Sequence, residues 1–574
     1  MTSRTLVESF QSVVSRQPNA VAIRSADGAT ALSWRQYAER VRAIASGLAA
    51  LGVVPGDTVA LMLTNRPEFH LCDTAVLHAG ATPFSVYNTN PADVLAYQFA
   101  NGGNRVVLSE KQFLPTVFAA INRGGKVEHV VCIDGEADGA LSLAALESNA
   151  AVGFDFDATW RAVQPDDLLT IVYTSGTTGP PKGVELTHTN FIENARIADD
   201  FGGIGPSDRV ISYLPDAHAA NRWFAHYTNL LYGVTITTVP DVKQVIAALT
   251  EVRPTGFLGV PRIWVKLKVA LEQRIADEPN PVKRSLARRA FSIGQAKARM
   301  ESSGRRLGML DRIQYRLADR LVLSKIRKQL GMDRIRLAVT GAAPIPPEVH
   351  EFILGLGIPL CEGWGMSECT AAVTVHRPGR IKVGTVGLPV PGAEISIADD
   401  GEVLVRGPMV MRGYRKDLEK TAEAIGSDGW LRTGDIGKID ADGFLSVVDR
   451  KKELIINAAG KNMSPTNIEN MVAANCPLVG SVVAIGDARP YVAALICLDP
   501  DVKANYASEE AIRTAVEAGV AAANAKLSRV EQIKKFTILA DTWAPGSDFL
   551  TPTNKLKRKP IADHYADVIE ELYL

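Results

Sequence analysis

Ten consecutive residues, Thr174-Ser175-Gly176-Thr177-Thr178-Gly179-Pro180-Pro181-Lys182-Gly183, follow the apolar run LLTIVY. Glycines and short hydroxyl side chains let successive backbone N–H groups converge on phosphate oxygens, and Lys182 adds a compact positive charge. A Walker A loop needs Gly directly before Lys and Ser or Thr directly after it. Here Pro181 precedes Lys182 and Gly183 follows, which argues against a P-loop kinase or NTPase and for a phosphate loop of another kind.

Other segments carry chemistry in chain order: LPDAH at 214–218, GAAPIP at 341–346, GWGMSE at 363–368, RTGD at 432–435, DRKKELI at 449–455 and TNKLKRK at 553–559. GWGMSE fails as a GxGxxG dinucleotide motif, because Glu368 stands where the third glycine belongs. Asp435 is short and acidic, suited to accepting two hydrogen bonds from neighbouring hydroxyls. Taken together, these segments resemble the adenylate-forming superfamily of acyl-CoA synthetases, firefly luciferase and nonribosomal adenylation domains. The likeness covers nearly the whole chain. Histidine-ended LPDAH with Arg222 four residues on, VPRIW at 260–264, AAGKNMSP at 458–465 and TPTNKLKRK at 551–559 look most like the long-chain and bubblegum-type fatty-acid–CoA ligases.

The resemblance implies two half-reactions. A fatty acid and ATP give acyl-AMP and pyrophosphate, then the thiol of CoA displaces AMP. The alternative acceptor is the phosphopantetheine of a carrier protein. A carboxylate must attack an α-phosphate that is already anionic, so cations and N–H donors have to neutralise both partners. By resemblance, Thr174 and Glu368 hold Mg²⁺, while Ser175, Gly176, Thr177, Thr178, Gly179 and Lys182 hold the β and γ phosphates. Gly341, Ala342 and Ala343 pass beside the adenine and the acyl carbonyl. Glu362, Gly363, Trp364, Gly365, Met366 and Ser367 border the nucleotide, with Trp364 stacking on adenine where most relatives carry tyrosine. Asp435 takes the ribose hydroxyls, Arg450 reaches the ribose or α-phosphate, and Gly460 lies in the CoA region.

In the tail, Lys555 takes the place of the catalytic lysine, Asn554 that of a glycine, and Arg558 that of an arginine. Asn tolerates left-handed backbone, so the replacement is physically reasonable. Lys452 is the expected pivot of a mobile small domain. His218 reads either as a structural histidine or as a group that positions substrate or gates an acyl tunnel, and Asp216 departs from the apolar residue usual there. No gate is assigned to Arg222 or Trp223.

These residues need a scaffold. At 574 residues the chain is several times the ~150-residue size of one domain. Lys plus Arg and Asp plus Glu are 63 each, so neither a wholly basic nucleic-acid-binding chain nor an acidic solvating one is expected. The six cysteines show no CxxC, which points to a reduced cytoplasmic protein without a disulfide framework. No stretch approaches the ~18 apolar residues of a spanning helix. The pattern predicts an α/β architecture. Residues 1–449 form a large domain of layered, mostly parallel sheets with helices, including a small β-barrel-like subdomain at 383–449. Residues 450–574 form a small mobile α+β domain. Residues 266–334 hold 18 Lys/Arg against 7 Asp/Glu at helical spacing, which points to peripheral contact with an anionic membrane.

Overall fold

Fully buried runs such as Thr58–Met62 alternate with amphipathic helices such as Trp34–Ala50, the pattern that builds a sheet covered on both faces. The helix Trp34–Ala50 begins on a capping box at Ser33 and Gln36, and it ends before Gly52, whose φ of +82° suits a left-handed stop. The computed structural model describes residues 3–124, 126–174, 180–458, 461–551 and 554–574.

Three sheets make the body of the large domain. One is a five-stranded parallel sheet holding Thr58–Met62 beside Thr82–Ser85 and Val106–Ser109. A second pairs Val21–Ser25 in parallel with Thr235–Thr238, which pairs in turn with Arg209–Ser212. The third runs Gly256–Leu258, Leu337–Thr340 and Leu360–Trp364 in parallel, then adds two short antiparallel strands. Mostly parallel sheets were expected, and they are present.

The region 383–449 is rich in short strands, with an antiparallel sheet of Glu394–Ile397, Glu402–Arg406, Leu431–Ile439 and Leu445–Arg450. Its neighbours are claimed by other sheets: Gly413–Tyr414 pairs with Lys182–Thr187, and Leu388–Pro389 extends the third sheet. Leu445 in turn exchanges backbone hydrogen bonds with Val386 and Gly387, tying the sheet to the segment before Leu388–Pro389.

The basic segment folds as the helices Pro261–Ala276, Pro281–Ser302 and Met309–Ala318, the last continuing through a wider turn into Ser324–Gln329. After Arg450 the chain builds a smaller unit with its own core. Ser464 caps the helix Pro465–Asn475, its Oγ accepting from Asn467 N–H at 3.0 Å. The sheet Val479–Ile485, Val492–Leu498, Ile533–Ile538 packs against that helix and against Glu509–Asn524. Among the described residues, no helix is long and apolar enough to cross a membrane. All six cysteines are buried and free.

Candidate active site

Strand Leu168–Thr174 delivers Thr174 to one end of the glycine-rich loop, and strand Lys182–Thr187 receives the chain at the other. Thr174 and Lys182 are register partners, so the loop is a hairpin connection. Ser175, Gly176, Thr177, Thr178 and Gly179 lie outside the described residues. The Lys182 ammonium sits 4.6 Å from the centre of the Tyr414 ring, and the Tyr414 hydroxyl donates to Glu368 Oε1 at 2.9 Å. Burial pushes the Tyr414 phenol well above its ordinary range, so it remains a donor. Sequence reasoning missed Tyr414. Its signal was an aromatic residue in RGYR between cations, but the strand pairing that brings it to Glu368 spans distant segments.

Glu368 is buried on a short turn, Ser367–Cys369, that follows Leu360–Trp364. Met366 and Ser367 accept backbone hydrogen bonds that close this turn. Thr370 and Ala371 take positive φ directly after it, +57° and +75°. Backbone strain of this kind persists where the surroundings impose it, commonly at working sites. Gly365 is obligatory, since a Cβ there would lie 2.3 Å from the Ala371 carbonyl oxygen.

The residues expected beside adenine pack at close range. A Cβ on Gly341 would lie 2.9 Å from Gly363 O, and Ala342 adopts φ +68°. Ala342 and Ala343 are exposed. Beneath them, Glu362 is buried and accepts from Ile345 N–H at 3.3 Å. Burial raises its carboxyl to about 8 against that single N–H bond, so Glu362 is neutral in the ordinary pH range.

Trp364 is half-buried, and its indole N–H donates to Asp435 Oδ2 at 2.7 Å. Arg450 Nε reaches Asp435 Oδ1 at 2.7 Å, because the two residues are cross-strand partners. Burial raises the Asp435 carboxyl, with Arg450 and Trp364 pulling the other way.

The tail enters this same cleft. Asn554 takes φ +61°, the left-handed conformation expected of a glycine's replacement. Thr551 and Lys555 exchange backbone contacts, Thr551 N–H donating to Lys555 O at 2.8 Å. Lys555 is solvent-accessible, yet protein crowds it on most sides, as for a side chain reaching into a cleft between domains. Burial and the Arg450 guanidinium hold its ammonium below the ordinary lysine range, while Asp435, Glu453 and Glu368 oppose them. Lys557 turns away and donates to Ser547 O at 2.9 Å. Arg558 clamps the tail to its own domain through Glu469, at 2.5 and 2.9 Å.

His218 caps the short turn Ala219–Asn221, its Nδ1 accepting from Ala220 N–H at 3.1 Å. Burial, with Lys555 nearby, depresses it to about 4, so it is neutral. Arg222 faces away into the core. It donates to Asp73, Ser85, Tyr227 and the Asp216 carbonyl at 2.7 to 2.8 Å, and is locked in place. Trp223 borders a small cavity shared with Ala219 and Thr370, and also an apolar cleft of about 620 Å³, open solvent included, with Val210, Phe224, Tyr232 and Leu337. Lys452 is exposed on the turn after Arg450, and Gly460 lies outside the described residues. Among the described residues, no three His, Cys, Asp or Glu side chains gather as a metal cluster.

Known proteins align with this arrangement. A putative fatty-acid–CoA ligase, fadD11 of Mycobacterium tuberculosis, is 50% identical over 76% of this chain and 79% of its own. The long-chain-fatty-acid–CoA ligase FadD15 of the same organism is 34% identical over 95% and 92%, and the Xenopus laevis ligase ACSBG2 is 30% identical over 99% and 84%. The solved adenylation domain of a Mycobacterium chelonae carboxylate reductase shares the fold, with a TM-score of 0.76 at 20% identity, covering 99% of this chain and 91% of that one. Residues 10–415 match the AMP-binding enzyme family and residues 452–574 match its C-terminal domain, so the chain belongs to the AMP-binding enzymes.

Proposed function

We propose that this chain is an ATP-dependent long-chain fatty-acid–CoA ligase. Fatty acid and ATP give acyl-AMP and pyrophosphate, and the thiolate of CoA then gives acyl-CoA and AMP. The observation that carries the reading is the Asp435 carboxylate gripped by Trp364 and Arg450, with the Lys555 ammonium of the small domain within electrostatic reach of it and of Glu368.

The residues divide the work by charge. Lys555 bridges the substrate carboxylate and the α-phosphate and offsets their repulsion as the C–O–P bond forms. Lys182 takes terminal phosphate charge, and Asp435 accepts from the ribose hydroxyls while Arg450 and Trp364 fix its orientation. Trp364 offers its ring plane to the adenine beside Gly341 and Ala342. The oxygen donors Thr174 and Glu368 fit Mg²⁺, which binds through one or two carboxylates plus phosphates and would supply charge neutralisation there. Neutral His218, capping its own turn with Lys555 nearby, positions the carboxyl end of the substrate. The apolar side chains around Trp223, Phe224, Tyr232 and Leu337 suit methylenes, and the acyl chain runs along them.

Rotation of residues 450–574 about Lys452 then withdraws Lys555, for attack by a thiol on an existing acyl-adenylate needs no such bridge. The deciding assay follows nucleotide product and acceptor with a panel of fatty acids. AMP and pyrophosphate with CoA-dependent thioester support the reading. ADP, or acyl-AMP that only a carrier protein discharges, overturns it.

A further inference from the structure

The helix starting at Met309 carries a second surface, remote in chemistry from the cleft. Met309, Ile313, Leu317 and Leu321 recur every four residues and are 80%, 48%, 55% and 51% exposed. Leu310 adds a further side chain, 74% exposed. A row at this spacing lies along one face of a helix, here about 18 Å long. Apolar side chains scattered singly on a surface are ordinary, but a contiguous row marks an interaction site.

The charges alongside it are arranged in parallel. Arg312, Arg316 and Arg320 also recur every four residues, one position before the apolar row, and all three are exposed. Arg306, Lys325 and Lys328 extend the cationic border at the two ends. None of these six has an ion-pair partner among the described residues. The two nearby carboxylates are already engaged: Asp311 accepts from Gly308 N–H at the helix start, and Asp319 pairs with Arg327 at 2.6 Å. On the adjoining helix, Val282 and Leu286 are exposed and Arg288 and Arg289 are exposed beside them.

We infer that this face docks on an anionic lipid surface, the apolar row entering the acyl boundary and the arginine row meeting the headgroups. Charge complementarity selects that occupant. A second copy would bring the same unpaired cations against one another, and a neutral apolar partner would leave them desolvated without counter-charges. The mode is an amphipathic helix lying in the interface plane.

Sedimentation of the full chain with vesicles of mixed phosphatidylglycerol and phosphatidylcholine, and of phosphatidylcholine alone, tests this. We expect binding to the anionic vesicles that weakens in high salt, and about fivefold loss for each of Arg312→Gln, Arg316→Gln and Arg320→Gln. The exposed pair Leu310→Ser and Leu317→Ser should lose binding while thermal melting stays unchanged. Equal binding to neutral vesicles, no binding, or full binding by the variants overturns the inference. So does a dimer in sedimentation velocity that the leucine variants dissociate.

Discussion

The Trp364 indole N–H and the Arg450 guanidinium hold opposite oxygens of Asp435, each at 2.7 Å. A carboxylate fixed from both sides presents its remaining lone pairs in one direction, which is what recognition of two vicinal hydroxyls requires. The indole of Trp364 thus aims its donor at Asp435, on a strand of a different sheet.

Trp364→Phe keeps an aromatic plane and removes that donor. A hydrogen bond to a charged group contributes about 1.5–3 kcal/mol, so KM for ATP should rise at least tenfold with kcat little changed. Steady-state pyrophosphate release measures both. An unchanged KM would show that Arg450 alone orients Asp435.

Local signals predict local features well. The left-handed Asn554 follows from a single residue type, and the structure has it. Tyr414 and the Arg222 network did not follow. Tyr414 reaches Glu368 only because Gly413–Tyr414 pairs with Lys182–Thr187, a pairing that no local periodicity encodes. Nor do short β runs specify which sheet they join: Leu388–Pro389 and Gly413–Tyr414 each pair outside the antiparallel sheet around them.

Arg222 shows the cost of a buried charge. Both it and Asp73 are fully buried, and His226 Nε2 lies 2.9 Å from the other Asp73 oxygen. Arg222→Ala leaves Asp73 uncompensated and should destabilise the large domain by about 3–5 kcal/mol. Combining Arg222→Met with Asp73→Asn should recover much of this. Urea midpoints of wild type, single and double variants decide it.

Glu362 gives a pH signature. Its carboxyl is raised by burial from the usual 4.5 to about 8 in the folded chain. The unfolded chain therefore releases this proton first as pH rises. Its contribution to stability is complete below about 4.5 and is lost as pH climbs through about 8. Glu362→Gln keeps an acceptor for Ile345 N–H but cannot ionise. Its unfolding free energy should fall less than that of wild type between these limits, a difference on the order of a few kcal/mol read from urea midpoints. Parallel pH profiles would reject the assignment.

The pivot can be tested by fixing one dihedral. Around it, Lys451, Glu453 and Leu454 donate backbone hydrogen bonds, and the Lys452 N–H is not among those donors. Lys452→Pro therefore locks φ with little local loss. Asp449 also holds the present arrangement, accepting from Ser464 Oγ at 2.5 Å and from Thr466 N–H at 3.1 Å. Pyrophosphate release should survive in Lys452→Pro while thioester formation slows at least tenfold, because only the second step needs the domain to turn. Equal loss of both would remove Lys452 as the pivot.

Lys555 and Lys557 separate catalysis from basicity. They lie two residues apart in the same tail, yet Lys557 is tied to Ser547 O while Lys555 lies within electrostatic reach of Asp435 and Glu368. Lys555→Ala removes the one ammonium able to bridge carboxylate and α-phosphate, and fatty-acid-dependent pyrophosphate release should fall about 10²–10³-fold. Conversion of supplied acyl-adenylate to acyl-CoA should persist, since no phosphate charge builds up in that step. Lys557→Ala should leave both steps intact. Because burial and Arg450 depress the Lys555 ammonium, kcat/KM for adenylation in wild type should decline at a lower alkaline pH than an ordinary lysine would give, reporting deprotonation in the free enzyme. The thiol-transfer step should lack that limb. A Lys557→Ala enzyme defective in adenylation, beside an active Lys555→Ala enzyme, would shift the assignment by two residues along the tail.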